Sequence, residues 1–151
     1  MSTGIDLRTG LEELHSDECL RLVGGSTLGR LAGVIDGQPL AFPVNFTLDG
    51  RDVVLRTDEG TKLYASRNGL VAFECDSIDR SYHTGWSVII TGRAEEVRQA
   101  SEVARLARLP LGPWCPGPKE VWLRIRPRTI TGRRIPQHGM RRTERREGLP
   151  R

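Results

Sequence analysis

Ten residues, PLAFPVNFTL (39–48), set the tightest limit on what this chain can fold into. Leu40, Phe42, Val44, Phe46 and Leu48 alternate with Ala41, Pro43, Asn45 and Thr47. A period of two places the first set on one face of a strand and the second on the other. Asp49-Gly50 comes next, a dipeptide suited to a tight hairpin, and the chain returns as DVVLRT (52–57). A half-buried strand that turns back on itself belongs to an antiparallel sheet.

The rest of the chain repeats this theme. TLGRLAGVI (27–35) reads as a strand and Asp36-Gly37 as a turn. LVAFECD (70–76), WSVIITGRAEEV (86–97) and VWLRIRPRTITGRRI (121–135) are further strands, the second with a bend expected at Gly92. Three short helices are expected. Ser16 is the N-cap of SDECLRLVGG, which carries Asp17 and Glu18 in its first turn. Thr61 caps TKLYASRNG, and Asn68-Gly69 ends it. QASEVARLARL (99–109) is amphipathic through Val103, Leu106, Ala107 and Leu109. About six strands joined mostly by hairpins predict an antiparallel barrel. The alternating βαβ units of a dinucleotide-binding parallel sheet are missing.

At 151 residues the chain has room for one domain with a core, expected over 1–138, and a tail over 139–151. The tail, GMRRTERREGLPR, carries five arginines against two glutamates. The net charge of +4 is therefore mostly local, and the barrel itself is close to neutral. Nucleic acid is thus not an expected partner. No apolar run reaches the length of a membrane span, and MSTGIDLRTG has no apolar signal region. Cys19, Cys75 and Cys115 show neither metal-ligand spacing nor a disulfide pattern, so a cytoplasmic location is expected. Only Lys62 and Lys119 among the 23 basic residues are lysine.

Two stretches have features of phosphate chemistry. VGGSTLGR (23–30) has the glycines of a phosphate loop, but Arg30-Leu31 stands where Lys-Ser/Thr is required. LRTDEGTKL (55–63) is different: a strand end, a tight turn and a helix start bring Arg56, Thr57, Thr61 and Lys62 near one another. Free amides at a helix N-terminus favour an anion, and two cations and two hydroxyls would complete its site. The same residues also fit a solvated hairpin end with Lys62 paired to Asp58 or Glu59. Pro43 and Asn45 are poor ladder members, which a bound polar ring, an edge or a bulge would explain. Trp86 and Ser87 put an aromatic plane and a hydroxyl at a strand mouth. His15, His83 and His138 sit beside no evident nucleophile and form no triad pattern.

In this order, PVNF, LRTDEGTKL, VAFECD and GWSVIITGRAEEV resemble the pyridoxamine 5′-phosphate oxidase-like family of flavin-binding split barrels, over roughly residues 16–135. The resemblance implies a mainly β fold: a six-stranded antiparallel split β-barrel of Greek-key type with a few short flanking helices. It implies a homodimer with an FMN in each of two grooves between subunits. Arg56, Thr57, Thr61 and Lys62 match the phosphate clamp. Pro43, Val44, Asn45 and Phe46 match the strand along the flavin ring and ribityl chain. Trp86 and Ser87 match a position that reaches the flavin, in many members from the neighbouring subunit. The chain lacks the Arg-Leu-His-Asp-Arg type run that holds substrate phosphate in the true oxidases, and has Thr61-Lys62 where they have Arg-Lys. The resemblance is therefore to the general flavin-binding branch. It implies an oxidoreductase acting on a small molecule by hydride transfer through FMN, with a deazaflavin as the alternative cofactor and a non-catalytic carrier as the alternative role. WCPGPKE (114–120) is the candidate specificity loop.

Overall fold

Alternating faces become a curled sheet in the computed structural model, which describes residues 4–58, 69–114, 117 and 119–136. The expected helix TKLYASRNG (with Thr61 and Lys62), Cys115, His138 and the tail 139–151 lie outside the described residues, except for Gly69. Eight strands are described: β1 (Glu12–Leu14), β2 (Leu28–Ile35), β3 (Gln38–Asn45), β4 (Thr47–Asp49), β5 (Asp52–Thr57), β6 (Leu70–Asp79), β7 (Thr84–Val97) and β8 (Val121–Ile135). Six of them are long, and β1 and β4 have three residues each. Two helices are described with them, α1 (Ser16–Gly24) and α2 (Ala100–Leu106). No described helix is long and apolar enough to cross a membrane.

The hydrogen-bonded order is β3-β2-β6-β7-β8-β5-β4, with β1 on β8, and every pairing is antiparallel. β3 and β4 stand at opposite ends of that order, yet Phe46 alone separates them in sequence. One residue spans only about 7 Å between its neighbours. The sheet must therefore curl until its ends meet, and no ladder joins them. This is a split barrel.

Local chemistry explains the turns. Asp36 and Gly37 both have positive φ, 48° and 75°, between Ile35 and its partner Gln38. That is the pairing a type I′ hairpin demands. Gly50, φ 61°, opens the β4–β5 turn. The expected strand PLAFPVNFTL breaks at Phe46 because the chain changes sheet ends there. Pro39 and Pro43 are tolerated because β3 is an edge strand paired only to β2. Ser16 does not cap α1; it is the first helical residue, and His15 is the cap, without a side-chain bond.

Inside the barrel, Leu31, Phe46, Val53, Leu55, Phe73, Val88, Ile90, Leu123 and Ile125 are buried, with Cys19 and Val23 of α1 in the same core. Phe46 meets Phe73 edge-on, centroids 4.7 Å apart. Outside, Leu106 of α2 packs with Val54 and Trp122. Arg105 and Arg124 bind Glu102 of α2 and Asp49 of β4, and the two guanidinium groups pull the Glu102 carboxyl down to about 2. These ties fix α2 over β4, β5 and β8.

The expected bend at Gly92 is a β-bulge. Thr91 pairs with Thr129 but Gly92 with Pro127, leaving Arg128 as the extra residue. A Cβ on Gly92 would lie 2.0 Å from the Arg126 carbonyl oxygen. Gly92→Ala is expected to lose about 2–3 kcal/mol, since the opposing atom is backbone and cannot swing aside. Gly24→Ala, whose Cβ would meet only Leu48 Cδ1 at 3.6 Å, is the control and should cost nothing. Equal denaturant midpoints for the two variants would contradict the bulge geometry.

Candidate functional site

The unpaired seam of the barrel is where polar groups gather. β4 pairs with Asp52–Val54, so among the described residues Leu55, Arg56 and Thr57 have no ladder partner on that side. The end of β3 faces this gap. Pro43, Val44 and Asn45 from β3, Arg56 from β5, Leu28 from β2, and Leu111, Pro113, Trp114 and Lys119 together line a cleft of about 210 Å³. Pro43, Leu28, Leu111 and Pro113 make one wall apolar.

Leu111, Pro113, Trp114 and Lys119 bring the strap between α2 and β8 to this cleft. Asn45 closes the end of β3 with both ends of its carboxamide: Nδ2 donates to the Thr27 carbonyl (3.3 Å) and Oδ1 accepts from the Trp114 amide (2.8 Å). The Thr27 carbonyl also accepts from the Phe46 amide, 3.1 Å away. Asn45 is therefore where it is partly for the fold. It retains one donor and one lone pair for a ligand.

Arg56 is held on two sides. Its Nε donates to the Lys119 carbonyl at 2.9 Å, and its guanidinium lies over the Trp122 ring, 4.9 Å from the centroid. A cation on an aromatic face with one donor already engaged is fixed in orientation. No ion pair among the described residues uses its terminal nitrogens, which leaves them available to an anion. Lys119 lines the same cleft, and its ammonium lies 3.1 Å from the Asp58 carboxylate. Two cations and one carboxylate thus share the mouth of the seam. Chemically, the cleft can seat a small anionic group against an apolar wall.

Thr61 and Lys62 lie outside the described residues, and the other expected site residues divide into three sets. Pro43, Val44, Asn45 and Arg56 come together in this cleft. Thr57 and Phe46 are near it in sequence but turn inward: Thr57 is 1% exposed, and its hydroxyl donates to the Asp58 carbonyl. Period two forces this, since Arg56 and Thr57 are neighbours on one strand and must point to opposite faces. Phe46 is equally buried, against Phe73. Trp86 and Ser87 line a different groove, with Leu11, Gly85 and Arg133. Within one chain they do not join Arg56. Lys119 and Trp114 were not among the expected site residues, although the loop that carries them was. The signal that could have found Lys119 is its rarity as one of two lysines in the chain.

Known proteins resemble this chain along most of its length. The family model described as pyridoxamine 5′-phosphate oxidase matches residues 15–134. The chain belongs to that family. Rv0080, an uncharacterized protein of Mycobacterium tuberculosis, is 38% identical to this oxidase-family chain over 130 residues, 82% of this chain and 84% of that one. A solved structure of the FAD-binding protein from Mycobacterium smegmatis is 41% identical, with a TM-score of 0.70 over 81% of this chain and 98% of its own. A conserved protein of unknown function from Corynebacterium diphtheriae is 35% identical, with a TM-score of 0.69 over 82% of this chain and 96% of its own. The family match runs from α1 through most of β8, and so includes every residue of the cleft.

Proposed function

We propose that this chain is an FMN-binding oxidoreductase that acts on a small molecule and works as a homodimer. The observation that carries the reading is the seam cleft, in which an oriented guanidinium, Arg56, stands beside an apolar wall. A flavin nucleotide needs that combination: a cation for its phosphate and an apolar surface for the rest of the molecule. Family membership and the 41%-identical FAD-binding relative support it. FMN is favoured because its one terminal phosphate matches a seat built from few charges. Thr61 and Lys62, next in sequence after the Asp58 turn, extend the clamp in this reading.

Bound flavin supplies hydride transfer between a reduced donor and an acceptor. The chain's own residues supply the rest. Arg56 draws the phosphate to the seam, and Asn45 offers its spare donor and lone pair along the β3 edge. Trp86 and Ser87, which sit apart from Arg56 in one chain, reach the cofactor of a second copy. An apolar trough lined by Ala32, Val34, Leu40, Leu70 and Ala72 gives that copy a surface to cover. Val34 is 61% exposed and Leu70 51% exposed without it.

The purified full-length protein is expected to sediment as a dimer at micromolar concentration. It should show flavin absorbance either as isolated or after incubation with FMN. Mass spectrometry of the released cofactor distinguishes FMN from FAD and from a deazaflavin. A colourless protein that gains no flavin spectrum with any of the three would sink the proposal. Stopped-flow mixing with NADH and NADPH then tests turnover; a bound flavin that no donor reduces would make the chain a carrier.

A further inference from the structure

We propose that Lys119 is the second cation of the seam cleft, and that it exchanges the Asp58 carboxylate for the phosphate of a bound nucleotide. The inference deepens the flavin-nucleotide reading and rests on it. Lys119 lies at the foot of the strap, far in sequence from the RTDEGTK stretch that marks the phosphate clamp. It reaches the cleft only because the strap docks on the seam.

Three features argue for this role. Lys119 is fixed relative to Arg56, because the Arg56 Nε–H binds its backbone carbonyl at 2.9 Å. This bond holds the Lys119 main chain beside Arg56, so the lysine side chain starts from a fixed point at the cleft while its ammonium can still rotate. Second, the pair with Asp58 is asymmetric: the Lys119 side chain is 12% exposed and that of Asp58 is 58% exposed. The ammonium has lost water to the cleft, while the carboxylate remains in solvent. An exposed carboxylate holds its partner weakly, so a more highly charged anion entering the cleft displaces it. Third, the chain uses lysine at only two of its 23 basic positions. A compact ammonium with three rotatable donors can turn from one acceptor to another, which a planar guanidinium locked in a fork does less readily.

The exchange releases a carboxylate that is already largely exposed, at small cost, and gives the phosphate two charge-assisted partners. Affinity for the phosphate then falls with added salt.

The test compares FMN with riboflavin, which lacks the phosphate, on the full chain by fluorescence titration. Lys119→Met and Lys119→Gln are both used, the second keeping a polar end for Asp58. Both variants are expected to weaken FMN by about tenfold or more, the size of one charge-assisted hydrogen bond. Riboflavin affinity should stay within about twofold, since no charge is involved. Equal weakening of both ligands, or of neither, would overturn the assignment, because a strap-holding role does not distinguish them. Failure of the flavin reading looks different: the unaltered protein would bind neither ligand. In that case calorimetry with inorganic phosphate decides: no phosphate binding by the unaltered protein, or binding that Lys119→Met does not weaken, would overturn the role of the lysine.

Discussion

Phe46→Ala is expected to lower folding stability by about 3–5 kcal/mol, as for other fully buried aromatic truncations. In a chain of this length that is a fall in Tm of about 6–20 °C. Phe46 is the only residue between β3 and β4, so it carries the whole passage from one end of the sheet to the other. Its ring is 1% exposed and stacks edge-on against Phe73 of β6, while its amide is tied to the Thr27 carbonyl. Removing the ring opens a cavity at the point where the sheet ends meet without hydrogen bonds. Phe46→Leu, which keeps an apolar side chain in the slot, should lose less. It should also leave flavin affinity unchanged, because the ring faces the core and not the cleft. A large drop in flavin binding by Phe46→Leu at unchanged Tm would show instead that the ring serves the ligand.

Arg56→Ala should weaken FMN binding by about 10–150-fold, the range of one hydrogen bond to a charged group, about 1.5–3 kcal/mol. The same variant frees the Lys119 carbonyl and the face of Trp122, so the strap loses its hold on β5. Arg56→Lys separates the two effects. It keeps the positive charge but cannot both stack on Trp122 and donate in a fork. Its FMN affinity should fall between those of Arg56→Ala and the unaltered protein. Titration of flavin fluorescence measures all three. If Arg56→Ala bound FMN as tightly as the unaltered chain, the seam could not be the phosphate seat.

Asn45 shows how a sequence signal can have two sources. An asparagine inside a strand needs a special reason, and a bound ring, an edge or a bulge would each serve. The structure supplies the edge: Asn45 is the last residue of an edge strand, and its carboxamide joins Thr27 to Trp114. Pro43 has the same explanation. These features do not argue against a ligand, but they no longer require one. Thr57 shows the opposite case. Its place beside Arg56 suggests a shared anion, yet neighbours on a strand point to opposite faces, and Thr57 is buried where Arg56 is only half-buried. Along a strand the pleat outweighs closeness in sequence.

What the sequence determined by itself is local. It specified the long strand segments, though neither β1 nor the break at Phe46, and where Asp36-Gly37 and Gly50 turn the chain; the bend expected at Gly92 lies opposite the bulge in β8. Backbone conformation and pleat depend on residues a few positions apart, so their causes are written contiguously. Family membership was legible for a related reason, since RTDEGTK and GWSV are each continuous motifs. Only the tertiary structure decided that the split falls between β3 and β5, that the strap reaches it, and that Lys119 stands beside Arg56. Those juxtapositions come from the curl of a whole sheet and from the docking of a loop more than sixty residues away in sequence. Such contacts form only once the barrel core has closed, and no short stretch of sequence encodes them.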